Sequence, residues 1–256
     1  MAQNNVFSMT EHSRSEPFDL QVSRGLIKYH TSIFQSAYSN SVTTGQTYLI
    51  WPRAAAYTFP TVASTMTLSS TSASDITQKV LIQGLDANYV QISEVLTLNG
   101  QTGVPTVNSY LRLNNMTVLS GSPAGDIYLG TGTVTAGIPA NVYDYIAAGD
   151  NSNQAAIYTV PAGFTLYITG GSVSSYVQTT GKYQTVNFWA VIGGVKYKTA
   201  NIITASGFQF FPYNPPLAVP EKSDIWDTVT SSDNQSGSIS VNLTGYLVQN
   251  TANPVT

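Results

Sequence analysis

Short runs rich in Val, Ile, Thr and Tyr recur along this chain from "TYLIWP" (47–52) onward, and turn signals break them at close intervals. The signals include Asn99-Gly100, Gly121-Ser122, Gly170-Gly171, Gly193-Gly194 and Ser236-Gly237. Runs of about four to eight such residues between turns read as strands. Nowhere do apolar residues keep a three-and-four spacing over the roughly 10–12 positions that an amphipathic helix needs. An all-β chain is therefore expected, built as one or two antiparallel β-sandwich or jelly-roll-like units. No fixed-period repeat is visible, which argues against a solenoid.

Residues 1–17 are polar and aperiodic and end in Pro17, so they read as an N-terminal arm that orders only on something it docks against. "FDLQVSRGLIKYHTSIFQSA" (18–37) has mixed periodicity and is either a strand with a loop or a short amphipathic segment. Further on, "IAAGDNSNQA" (146–155) is small, polar and turn-rich, which divides the chain into an expected first β domain, 18–148, and a second, 149–256. In the second block, "TVNFWAVIGGVKYKT" (185–199) carries two alternating runs around Gly193-Gly194, a two-residue hairpin signal.

A chain of 256 residues can bury a full core. Its polarity comes from hydroxyl and amide side chains, because Lys and Arg number 10 and Asp and Glu 13, for a net charge of -3. Ten scattered cations make no basic stripe able to displace counterions, so nucleic-acid partners are set aside. With no cysteine there are no disulfides, thiolate metal sites or thiol nucleophiles. No apolar run approaches the roughly 18 residues of a membrane span, and the start lacks a basic cluster followed by an apolar core. The chain is expected to be soluble as made, without a secretion signal. The matches "NMT", "NQS" and "NLT" to a glycosylation acceptor weigh little without secretion.

Two carboxylates in "VLIQGLDANYVQISEVLTLNG" (80–100), Asp86 and Glu94, raise the question of an acid/base pair. Asp86 sits in "GLDANY", where Asp and Asn favour a turn through bonds to their own backbone. On a regular strand Glu94 shares a face with Val90, Ile92, Leu96 and Leu98, and an ionised carboxylate there must be paired, protonated, at an edge or turned outward by a bulge. In "VNSYLRLNN" (107–115), one hairpin away, Arg112 is reachable, and a cross-strand Glu94–Arg112 ion pair is the expected solution.

Other routes to chemistry are thin. The histidines are His12 and His30 alone, and no Gly-x-Ser-x-Gly elbow surrounds a serine. Glu221, Asp224 and Asp227 lie together in "EKSDIWD" but lack the alternating oxygen ligands of a calcium loop. Phosphate-cradling glycine loops are absent. We expect no catalytic, metal or cofactor site, and no enzyme.

Aromatic residues cluster twice, as Trp51, Tyr57 and Phe59 in "IWPRAAAYTFP" and as Phe208, Phe210, Phe211 and Tyr213 in "GFQFFPYNPP". Buried, they would fill a core; exposed, they would anchor a partner or stack on sugar. Adjacent Phe210 and Phe211 point to opposite faces of a strand, so one is expected to meet a second layer or another subunit. In the arm, Val6, Phe7 and Met9 are the apolar anchors available for docking.

Taken in order, "IWP…YTFP…STMTLSSTSASD" (50–75), "VLIQGLDANYVQISEVLTLNG", "YLRLNNMTVLSGSPAGDIYLG" (110–130) and "YTVPAGFTLYI" resemble a group of structural proteins of tailed bacteriophages, often those of marine and cyanobacterial hosts. The resemblance spans about residues 18–249, and none of its motifs is catalytic. It implies a virion component placed on the capsid as a decoration or cement protein, or on the tail, with the major capsid protein or tail proteins as partners. A chain of this kind assembles in the host cytoplasm by homo-oligomer contacts, as a trimer by analogy with virion proteins. The alternatives are a tail-associated module that binds a receptor or a host-surface glycan and, further off, a glycan hydrolase using Asp86 and Glu94.

Overall fold

The computed structural model describes residues 16–53 and 55–250. The arm residues Val6, Phe7 and Met9 lie outside that range. The described residues are all-β apart from one helix of six residues, α1 (Phe18–Ser23), so the ambiguous segment 18–37 resolves into a helix, a loop and the start of a long strand. Among the described residues no helix is long and apolar enough to cross a membrane.

Two β units follow from the strand pairing, and every ladder in them is antiparallel. The outer strands, β1 (His30–Val42) and β2 (Thr47–Leu49), precede an inner unit of β3 (Ser64–Ser70), β4 (Lys79–Leu85), β5 (Gln91–Thr97), β6 (Val104–Tyr110), β7 (Arg112–Ser120), β8 (Ile127–Thr135) and β9 (Ile138–Ile146). The chain then completes the outer unit with β10 (Ile157–Thr159), β11 (Phe164–Tyr176), β12 (Gln184–Ile192), β13 (Val195–Thr204), β14 (Gly207–Val219), β15 (Asp224–Ser231) and β16 (Gly237–Gln249). The inner unit packs a sheet of order β6-β3-β8-β9 on one of order β5-β4-β7. The outer unit packs β1-β16-β11-β14 on β10-β15-β12-β13, with β2 added to β15.

Strand pairing thus crosses the grouping expected from the loop at 146–155. β1 pairs with β16 and β2 with β15, so residues 30–49 are built into sheets made by the C-terminal part of the chain. The polar loop marks the exit from the inner unit; its entry, at 50–63, is hidden in sequence because it is rich in aromatics.

Alternation places the cores. Met66, Leu68, Val80, Ile82, Met116, Ile127 and Leu129 fill the inner sandwich, while Val173, Val186, Phe188, Val229 and Val241 occupy part of the outer one. At the expected hairpin, Gly193 (φ 59°) and Gly194 (φ 80°) join Ile192 to its partner Val195. Both central residues need positive φ there, which glycine adopts without a side-chain clash. Gly84 is required for a different reason: a Cβ would stand 2.3 Å from the Arg112 carbonyl oxygen and 2.7 Å from the Tyr110 ring. That ring is fully buried.

Candidate functional site

The expected Glu94–Arg112 pair does not form. The chain changes sheets at Leu111, ending β6 at Tyr110 and starting β7 at Arg112, so the two residues lie on strands that both flank β4 and never meet. Glu94 does share a face with Ile92 and Leu96, which pack on the core. Its carboxylate accepts from the Val107 amide (2.9 Å), the Asn108 amide (3.0 Å) and the Tyr110 hydroxyl (3.0 Å). Glu94 therefore ties edge strand β5 to edge strand β6 of the facing sheet, closing one side of the inner sandwich. Burial first, and then the Glu94 charge, pushes the Tyr110 hydroxyl well above its ordinary value, so it remains a donor.

Asp86 caps its own turn, accepting from the Asn88 amide at 2.8 Å and the Val90 amide at 2.9 Å. The two carboxylates that opened the question of catalysis are each engaged by backbone donors. Acidic side chains do the same elsewhere: buried Asp75 accepts from the Ser70 hydroxyl and from the Ala124 and Gly125 amides. Burial opposes its charge, but those three donors outweigh it and hold its carboxyl below the usual range.

Arg112 has a different acid. Its Nε and Nη2 donate to the two oxygens of Asp224 at 2.7 and 2.8 Å, and Nη1 donates to the Pro60 and Leu111 carbonyls at 2.6 and 2.9 Å. Asp224 also accepts from the Thr159 hydroxyl at 2.7 Å. Both side chains are almost wholly buried, and the pair bridges the inner unit, through β7, to the outer unit, through β15. Burial works against the guanidinium charge, but bonding to Asp224 outweighs it and raises the Arg112 pKa.

Around this bridge the first aromatic cluster packs at the junction of the two units. Trp51, 1% exposed, meets Tyr57 edge-on at 5.5 Å between centroids, Tyr57 meets Phe59 at 5.1 Å, and Phe59 meets Trp226 at 5.7 Å. The Arg112 guanidinium lies 5.0 Å from the Phe59 ring. Trp51, Tyr57 and Phe59 therefore pack at the junction between the two β units, Trp51 buried and Tyr57 and Phe59 partly buried. The loop at 146–155 is pinned as well, because Asn153 donates to both oxygens of Asp144 at 3.1 Å and its amide bonds the Met116 carbonyl. Burial pushes the Asp144 carboxyl up to about 7, against the Tyr145 amide and the Asn153 side chain.

The second aromatic cluster divides by strand face. Phe208 and Phe210 are exposed, at 67% and 66%, whereas Phe211 and Tyr213 turn inward, Phe211 packing on Phe188 at 5.2 Å. β14 is the edge of one outer sheet and β13 the edge of the other, and a turn at Ala205-Ser206 joins them. Both edges thus open on one side of the sandwich, with Val195, Tyr197 and Ile203 exposed on β13 and Phe208 and Phe210 on β14. Long unpaired edges bearing apolar side chains are association surfaces unless they are covered.

Glu221, Asp224 and Asp227 do not converge. Glu221 accepts from the Gly163 amide, Asp224 holds Arg112, and Asp227 faces the interior of the outer sandwich with Ile225 and Val229. Among the described residues no group of acidic or histidine side chains is arranged to hold a metal ion. Asp227 lies beside a small cavity among Phe188, Phe211, Tyr213 and Leu217 and makes no side-chain hydrogen bond, so burial pushes its carboxyl up to about 8. The motif reading missed it, although the alternation Ile225, Asp227, Val229 places it on the apolar face of one strand. His30 sits beside Phe18 with its Nδ1 on the Lys28 carbonyl at 2.9 Å, and His12 lies outside the described residues.

No protein-family model and no curated protein matches the chain. Solved structures of infectious bursal disease virus are similar in part. T=1 particles derived from that virus align at a TM-score of 0.26 with 11% identity, over 87% of this chain and 70% of theirs. The VP2 subviral particle aligns at 0.25 with 11% identity, over 93% and 78%. TM-scores this low do not establish a common fold, and the functional reading stands on the chain's own residues.

Proposed function

We propose that the chain is a non-enzymatic structural component of a tailed-bacteriophage virion that decorates or stabilises the capsid through contacts between its own copies and with the capsid lattice. The observation that carries this reading is the open side of the outer sandwich, where edge strands β13 and β14 present Tyr197, Ile203, Phe208 and Phe210 to solvent. A monomer gains nothing from such a surface, whereas a second copy laid along it would bury the rings and pair the edges. The motifs at 50–75, 80–100 and 110–130, which resemble phage structural proteins, support the same assignment. So does the use of the carboxylates: Asp75, Asp86 and Glu94 fasten loops and edges rather than converging on a substrate. In this reading the oligomer is a trimer and residues 1–17 dock on a neighbour.

Counting the chain in purified particles tests the proposal. Hundreds of copies, retained on tailless heads, are expected, together with a stable oligomer of the isolated chain in sedimentation. A monomeric chain found in a few tail-located copies would overturn it.

A further inference from the structure

We infer that the cleft between the two β units binds a neutral, unbranched oligosaccharide. The cleft encloses about 700 Å³, within the range of ligand pockets, and lies where such pockets commonly form, between two packed units. Its walls come from β1 on one side, β4, β5 and β7 on the other, and the loop at 152–155 at its floor. Among the described residues no Asp, Glu, Lys, Arg or His lines it. The polar groups are amides and hydroxyls throughout, and of the three rings in the lining, Phe34, Tyr158 and Phe164, Phe34 is the most exposed, at 69%.

Some of these groups are committed to the wall itself. Asn114 exchanges two hydrogen bonds with the Thr159 backbone, both at 2.9 Å, and Gln35 donates to the Ala155 and Ile157 carbonyls. The Asn114 bonds tie β7 of the inner unit to β10 of the outer one, and those of Gln35 tie β1 to β10 within the outer unit. Others remain for a ligand: Gln83 uses only its carbonyl oxygen, accepting from Asn115 at 2.9 Å, and exposed Gln91 makes no side-chain hydrogen bond.

This lining selects by chemistry. A phosphorylated or carboxylated ligand would leave its charge without a counter-charge, and a wholly apolar ligand would strip water from the amides without replacing their hydrogen bonds. A neutral sugar does neither, since each hydroxyl both donates and accepts, as each carboxamide does. The exposed face of Phe34 offers the apolar platform that the C–H face of a pyranose ring covers. An open-ended cleft between two sheets admits a linear chain more readily than a branched one.

This inference does not depend on a virion role, because it is tested on the isolated full-length chain and the role is tested on particles. Maltohexaose, cellohexaose, laminarihexaose and mannohexaose are titrated in turn, with sialyllactose and an uncharged extended peptide as the contrasting probes. Saturable binding of at least one hexasaccharide is expected, weakened at least about tenfold by Gln91→Ala and by Phe34→Ala. Both side chains are exposed, so the variants should keep the parent's melting curve. Absence of saturable binding to all four, equal binding by both variants, or preference for sialyllactose or the peptide would overturn the inference.

Discussion

Arg112 and Asp224 form a bidentate, buried ion pair across the junction of the two β units, at 2.7 and 2.8 Å. Removing one member strands the other charge in a dry site, which costs about 3–5 kcal/mol. Arg112→Ala should therefore destabilise the fold by that order in urea unfolding. Replacing both, as Arg112→Met with Asp224→Leu, should recover most of the loss, since a matched apolar pair needs no counter-charge. A double variant as unstable as the single one would refute this account.

Glu94 predicts a different pattern. Glu94→Ala leaves two backbone amides and the Tyr110 hydroxyl without their acceptor, for a loss of roughly 1–3 kcal/mol. Arg112 variants should be additive with it, because the residues share no partner. A large coupling between the two sites in a double-mutant cycle would contradict the structure.

Asp227 makes stability depend on pH. Its carboxyl moves from 3.8 up to about 8 in the fold, so the native state keeps a proton that the unfolded chain releases. Its contribution to stability is then greatest below about pH 4, falls as pH rises toward 8 and levels above it, by on the order of 6 kcal/mol in all. Asp144, pushed up to about 7, adds a loss of the same sign that ends a unit lower. Asp227→Asn, neutral at every pH, should flatten much of the profile measured by denaturant unfolding from pH 4 to 9.

Phe208→Ser and Phe210→Ser should weaken self-association more than they change the melting temperature, because both rings are exposed in the single chain. Sedimentation of the two variants beside Phe211→Ser provides the contrast. Phe211 packs on Phe188 and against the Gly171 backbone, so its loss should lower stability by about 3 kcal/mol or more.

What could be read from sequence were the features fixed locally. All-β character, the Gly193-Gly194 hairpin and the Asp86 turn each depend on a few neighbouring residues. The Glu94 face was also legible, since alternation alone decides it. Its partner was not, because "VNSYLRLNN" reads as one strand while the chain switches sheets within it, at Leu111, and no residue type announces that switch. The Arg112–Asp224 bridge joins positions far apart in the chain, and the pairing of β1 with β16 does so across almost its whole described length. Nor could the aromatic entry segment be told from an exposed patch, because Trp51, Tyr57 and Phe59 find their ring partners only once both units are in place.

That first-to-last pairing sets an order of events. The inner unit is a continuous stretch, residues 64–146, and its strands pair only with one another in the regular sheets. During synthesis it can collapse as soon as it has left the ribosome, while β1 waits for β16, made last among the described strands. Until then β1 is a long, unpaired edge carrying exposed Phe34. A nascent chain that lacks β16 is therefore most prone to aggregate through β1, and a fault in β16 would be felt there first.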